Sequence, residues 1–156
     1  MESIKRQRRL LLTGAAALGL AASGLVRAQA AQGIEVWKDP NCGCCQDWIS
    51  HLEQNGFKAR VFDSGNNAAR AQLGMPQPLG SCHTALVQGY VIEGHVPAKD
   101  IQRLLKEKPQ ALGLAVPGMP IGSPGMDGPA YGGRRDRYEV LLVLKDGSTR
   151  VFQRHA

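Results

Sequence analysis

Three of the four cysteines in this 156-residue sequence fall within four positions, Cys42-Gly43-Cys44-Cys45, and the fourth lies in Ser81-Cys82-His83-Thr84. Cys42 and Cys45 form a C-x-x-C pair, the spacing of dithiol–disulfide exchange, and are the candidate redox pair. Cys44 between them changes the chemistry. Three thiolates in four residues repel one another unless protons, a disulfide or metal ions relieve the charge. On a helix, Cys44 and Cys45 would stand about 100° apart, so they do not readily grip one small ion together. Several ions bridged by sulfur suit that spacing better. Ligand softness then selects the metal. Thiolates with the thioethers of Met119 and Met126 favour Cu(I), whereas zinc accepts four cysteines but gains nothing from methionine. The candidate ligands are therefore Cys42, Cys44, Cys45, Cys82, His83, Met119 and Met126. The competing arrangement is two structural disulfides, which three crowded cysteines would serve poorly as loop closures.

The other residues capable of ligation read more plainly. If the strand after Cys82 is regular, Cys82 and His83 point to opposite faces, which argues against both reaching one site; a loop not yet extended at Cys82 keeps His83 a candidate ligand. His95 stands in a turn and reads as loop packing. His51 reads as solvated helix surface, His155 as an uninvolved tail residue, and Met75 has no supporting motif. Trp37 and Trp48 flank the cysteine loop and read as core packing that also limits solvent access.

These residues need elements to position them. Ile34 to Lys38 alternates as a first strand, and Asp39-Pro40-Asn41 breaks it. A helix from Cys44 or Cys45 puts Cys45, Trp48, Ile49 and Leu52 on one face and ends before Gly56. Lys58–Phe62 is a second strand and Asn66–Leu73 a short helix. Met75 to Gly80 is a loop whose prolines exclude a central strand. Thr84–Val87 and Tyr90–Glu93 form a hairpin about Gln88-Gly89. Pro97 opens a last helix with Ile101, Leu104 and Leu105 inward, Asp100 early and Lys106 and Lys108 late, and Pro109 closes it. Val116 to Gly133 is dense in Gly and Pro and holds little regular structure. Tyr138–Leu144 and Thr149–Phe152 make a terminal hairpin through Asp146-Gly147. The order β-α-β-α-β-β-α is that of a thioredoxin-like α/β domain, which sets the cysteine motif at a helix N-terminus. Unpaired N–H groups there stabilise thiolate.

The first thirty residues read as a secretory signal peptide: a basic start, an apolar run from Leu10 to Val26, then Ala28-Gln29-Ala30. The run is too rich in Ala and Gly for a good membrane span. Arg8-Arg9 before Leu10-Leu11-Leu12 fits the twin-arginine route, and an ordinary Sec signal fits as well. Removing residues 1–30 takes five of the 19 Lys/Arg and one of the 13 Asp/Glu, so the net charge falls from +6 to +2. No basic stripe survives to bind nucleic acid. No H-E-x-x-H, phosphate-binding glycine loop or G-x-S-x-G is present to support hydrolysis.

Val36 to Cys45, Ser81-Cys82-His83-Thr84-Ala85, Glu93 to Ala98, Val116 to Pro120 and Gly122 to Met126 together resemble the CopG-type copper-resistance proteins. Cys42, Cys44 and Cys45 match that family's C-x-C-C motif. The resemblance implies a thioredoxin-like domain with a C-terminal extension that helps bind metal. It further implies a cysteine-bridged cluster of several copper ions and interconversion of Cu(I) and Cu(II) beside periplasmic copper efflux. The expected organisation is a cleaved leader at 1–30, a thioredoxin-like domain at 31–115, and an extension at 116–156 that contributes to the metal site. The expected protein is a periplasmic monomer, free of membrane after cleavage. Two other functions stay open: thiol–disulfide exchange through Cys42 and Cys45, and copper storage or delivery without redox turnover.

Overall fold

A computed structural model describes residues 31–156, so the leader, with its twin-arginine pair, lies outside the described residues. Seven strands form one mixed sheet in the order β2-β1-β3-β4-β5-β6-β7. They are β1 (Gln32–Lys38), β2 (Phe57–Phe62), β3 (His83–Val87), β4 (Tyr90–Glu93), β5 (Gly113–Ala115), β6 (Tyr138–Val143) and β7 (Thr149–His155). The helices are α1 (Gly43–Gln54), α2 (Asn67–Gln72) and α3 (Ala98–Glu107), with single 3₁₀ turns at Gln77–Leu79 and Pro129–Tyr131. The thioredoxin-like order expected from the sequence is present through α3.

Apolar periodicity accounts for the layers. Ile34 and Val36 of β1 pack with Trp48, Ile49 and Leu52 of α1 and with Ile101 and Leu104 of α3, forming the main core on one sheet face. Met75, Val91, Ala115 and Val143, with Leu73 after α2, make a smaller cluster elsewhere. Met75 is core. Trp37 projects to the face opposite Val36, half-buried and stacked on Phe62 with ring centroids 5.1 Å apart, so only Trp48 lies in the main core.

Two features carry no local sequence pattern. Gly113–Ala115 forms β5, parallel to β4 and antiparallel to β6, so the terminal hairpin continues the central sheet. Three residues carry too short a pattern to announce a strand. A Cβ on Gly113 would fall 1.7 Å from the Val91 carbonyl oxygen, so only glycine allows that close pairing. Strand β7 also runs on to His155, whose Nε2 meets Asp100 Oδ2 at 2.7 Å.

Register brings the cysteine segments together. β1 pairs with β3 antiparallel, with Lys38 opposite His83. The chain leaves β1 at Lys38 and enters α1 through the cysteine loop, while β3 begins beside that exit. Cys82, one residue before β3, is thereby delivered to the N-terminus of α1.

Candidate metal centre

Cys42 is the N-cap of α1 and is disulfide-bonded to Cys45. Cys44 and Cys82 are free thiols. Cys44 Sγ lies 3.6 Å from Cys42 Sγ and 3.9 Å from Cys82 Sγ, and Cys45 Sγ lies 3.6 Å from the Cys82 carbonyl oxygen. The four sulfurs lie within 4.8 Å of one another. The distant fourth cysteine thus joins the other three, and the sulfurs do not pair off as two cross-links.

Cys82 belongs to a second group, with His83 and His95, whose ligand atoms also lie within 4.8 Å of each other. His95 Nε2 is 3.1 Å and His83 Nδ1 3.4 Å from Cys82 Sγ. The far nitrogens fix the tautomers. His95 Nδ1 donates to the Pro124 carbonyl at 2.9 Å, and His83 Nε2 donates to the Gly94 carbonyl at 2.9 Å. A carbonyl only accepts, so in each neutral ring the nitrogen facing Cys82 carries the lone pair. Burial holds both imidazoles below their ordinary pKa; the neighbouring His95 lowers His83 further, while hydrogen bonds to Gly94 and Pro124 oppose the shifts. Burial also pushes the Cys82 thiol up to about 12, and Cys44 adds to that shift. One thiol hydrogen therefore faces two nitrogen lone pairs. A cation with soft and imidazole affinity suits this arrangement, and the outer hydrogen bonds aim the rings as those of metal-ligating histidines do.

The elements around the site explain its shape. Trp48 lies about one turn after Cys45 on the buried stripe of α1 that Cys45 begins. Its Nε1 donates to the Val96 carbonyl at 2.8 Å, and its ring lies against His83 with centroids 4.1 Å apart. Gly94 turns the chain between β4 and His95 at φ +72, where a Cβ would strike the Val116 carbonyl and the Ser81 side chain. Behind Cys82, the buried Arg70–Glu93 pair grips Ser81 from both sides. Glu93 accepts from the Ser81 N–H at 2.7 Å, and Arg70 donates to the Ser81 carbonyl at 2.6 Å.

The irregular segment after β5 closes over the same place. Ser81 Oγ donates to the Gly118 carbonyl, and Pro124 receives the His95 ring. Gly125, at φ +85, approaches α1 so closely that a Cβ would lie 2.5 Å from the Cys44 carbonyl oxygen. Met126 is buried and its sulfur accepts from the Tyr131 hydroxyl at 3.2 Å, whereas the Met119 side chain is 52% exposed.

Cys82 and His83, both candidate ligands in the sequence, turn toward one another, because Cys82 precedes the regular strand and escapes its alternation. Two other expectations need correction. His95, read as loop packing, is the imidazole nearest Cys82. Its signal was present in the hairpin: carrying the register two pairs beyond Thr84↔Glu93 sets Cys82 opposite His95. His51 is half-buried rather than solvated, and its Nε2 accepts the Ala98 N–H at 3.1 Å, capping α3. His155 lies apart from the cluster, against Asp100 and Tyr138.

Among the described residues, no helix is long and apolar enough to cross a membrane. A family model described as a protein of unknown function, DUF411, matches residues 79–126. That span holds Cys82, His83, His95, Met119 and Met126. Two solved structures, titled copper resistance protein CopG form 1 and form 2, are each 45% identical to the chain with a TM-score of 0.74. The first match covers 80% of this chain and 98% of that one, the second 81% and 99%. No curated protein sequence matches.

Proposed function

The chain belongs to the CopG family of copper resistance proteins, and from that premise we propose that it is a periplasmic protein that binds several copper ions and interconverts Cu(I) and Cu(II). The observation that carries this reading is the shared position of Cys82, which stands in both the four-sulfur group and the Cys82–His83–His95 group. A thiolate with neighbours on two sides is a bridging ligand. Sulfur donors favour Cu(I), and the two imidazoles make Cu(II) tolerable at the same place. Cys42, Cys44, Cys45, Cys82, His83 and His95 are the proposed ligands, with Met126 and the more exposed Met119 as thioether candidates from the closing segment. Copper is the substrate here, presented to periplasmic efflux components by a monomeric protein.

The Cys42–Cys45 disulfide supports a second reading, thiol–disulfide exchange with protein substrates. Its partly buried Cys42 and fully buried Cys45 give one attackable sulfur and one shielded leaving sulfur. Storage or delivery without electron transfer is the third.

Anaerobic copper loading of the reduced protein separates them. Metal counting and visible absorption should give more than one copper per chain, with bands that appear and fade reversibly as an oxidant and a reductant are added. A colourless protein that passes its disulfide to dithiol substrates would establish the second reading, and tight Cu(I) binding with no response to oxidant the third.

A further inference from the structure

Two sulfurs of the cluster are joined and two are free, and the free pair retains both imidazoles. Cys44 and Cys82 lie 3.9 Å apart, and His95 and His83 stand 3.1 and 3.4 Å from Cys82. Closing the Cys42–Cys45 bond therefore removes two soft ligands and leaves four donors of mixed type in place. Resting on the copper reading above, we propose that the Cys42/Cys45 dithiol is the electron source for copper reduction at this site: it reduces Cu(II) and closes as the disulfide, while Cys44, Cys82, His83 and His95 keep hold of the Cu(I) formed.

The step balances. Two Cu(II) ions take one electron each, the Cys42 and Cys45 S–H bonds give up two protons, one S–S bond forms, and two Cu(I) result. Contact geometry supplies the route, since Cys44 Sγ lies 3.6 Å from Cys42 Sγ and links the redox pair to Cys82. Reopening requires an external dithiol. It attacks Cys42, the more exposed of the two sulfurs, Cys45 leaves, and two protons and two electrons pass from the dithiol to the pair. The Cys45 thiol then faces the Cys82 carbonyl, 3.6 Å from its sulfur, as a ready acceptor. A buried sulfur next to a carbonyl is shielded from other oxidants, so electron loss is directed through Cys42.

The test adds a cupric salt stepwise to fully reduced protein without oxygen. Cu(II) is followed by electron paramagnetic resonance, Cu(I) by a colorimetric chelator, and the disulfide by peptide mass mapping. The expected result is two Cu(II) signals lost for each disulfide gained, with that disulfide joining Cys42 to Cys45. Cys44→Ser should surrender Cu(I) to the chelator about tenfold more readily. A disulfide that joins Cys44 to Cys82 instead would overturn the proposal. So would Cu(II) that stays bound and paramagnetic beside four free thiols, a result that leaves copper binding itself intact. Failure of both the reduced and the disulfide form to retain any copper would overturn the copper reading, and this inference with it.

Discussion

Replacing Glu93 by Gln tests whether a buried ion pair holds the Cys82 loop. Glu93 is fully buried, and its carboxylate accepts from Arg70 Nε at 2.9 Å, the Ser81 N–H at 2.7 Å and Thr84 Oγ1 at 2.6 Å. Burial raises its pKa, and these hydrogen bonds with the Arg70 charge oppose the rise. A glutamine amide keeps one accepting oxygen and turns its NH2 toward groups that are themselves donors. It also leaves Arg70, at 6% exposure, as an unpaired buried cation. Removing one partner of such a pair costs about 3–5 kcal/mol, a large share of the total stability of a domain this size. With a urea m-value of about 2 kcal/mol/M, the midpoint should fall by about 2 M. Replacing Arg70 by Met in the same chain removes the stranded charge, so the double variant should be no less stable than Glu93→Gln alone. Cu(I) affinity should fall about tenfold in Glu93→Gln, because Ser81 loses the grip that fixes its neighbour Cys82. Urea titrations of the two single variants and the double variant supply the coupling energy. A loss below about 1 kcal/mol in Glu93→Gln, or losses that simply add, would refute the reasoning.

Gly125→Ala should lift the closing segment from α1, since φ +85 is strained for alanine and the added carbon meets the Cys44 carbonyl. A loss of about 1–3 kcal/mol and faster hydrogen exchange in the 118–126 segment would show it; an unchanged exchange pattern would contradict it. Met126→Leu conserves volume and should cost less than about 1.5 kcal/mol. Cu(I) competition assays should show weaker binding at nearly unchanged thermal stability; unchanged Cu(I) affinity would remove Met126 from the ligand set. The depressed pKa values of His83 and His95 make stability pH-dependent. The unfolded chain takes up protons first, so this contribution is complete above the ordinary value of 6.5 and declines as pH falls below it toward the folded values. Urea midpoints measured at pH 7.5 and at successively lower pH check that sign, and a midpoint that rises on acidification would reverse it.

The cysteine motif, the helix that follows it and the hairpin were legible because each rests on local pattern. Cys45, Trp48, Ile49 and Leu52 recur at helical spacing, and all four are buried as that spacing demands. Gln88 and Gly89 both take positive φ, as a two-residue type I′ hairpin turn requires. What escaped depends on relations between segments. Gly113–Ala115 becomes a strand through its neighbours on both sides, not through its own three residues. His95 is within reach of the hairpin register, which sets it across from Cys82 two positions past the last regular strand pair. His51 caps a helix that begins 47 residues later, a contact no local pattern carries. The segment after β5 announced its irregularity but not its destination. Its placement depends on Gly125 fitting against α1 and on the Pro124 carbonyl meeting His95.

X-ray absorption at the copper edge, paired with anomalous diffraction from the copper-loaded reduced protein, tests the central claim most directly. Copper ions in mixed sulfur and nitrogen coordination are expected, with the Cys82 sulfur bound to more than one of them and His95 among the nitrogen donors. Copper held wholly by other residues, or by an all-nitrogen and oxygen shell with Cys82 untouched, would contradict it.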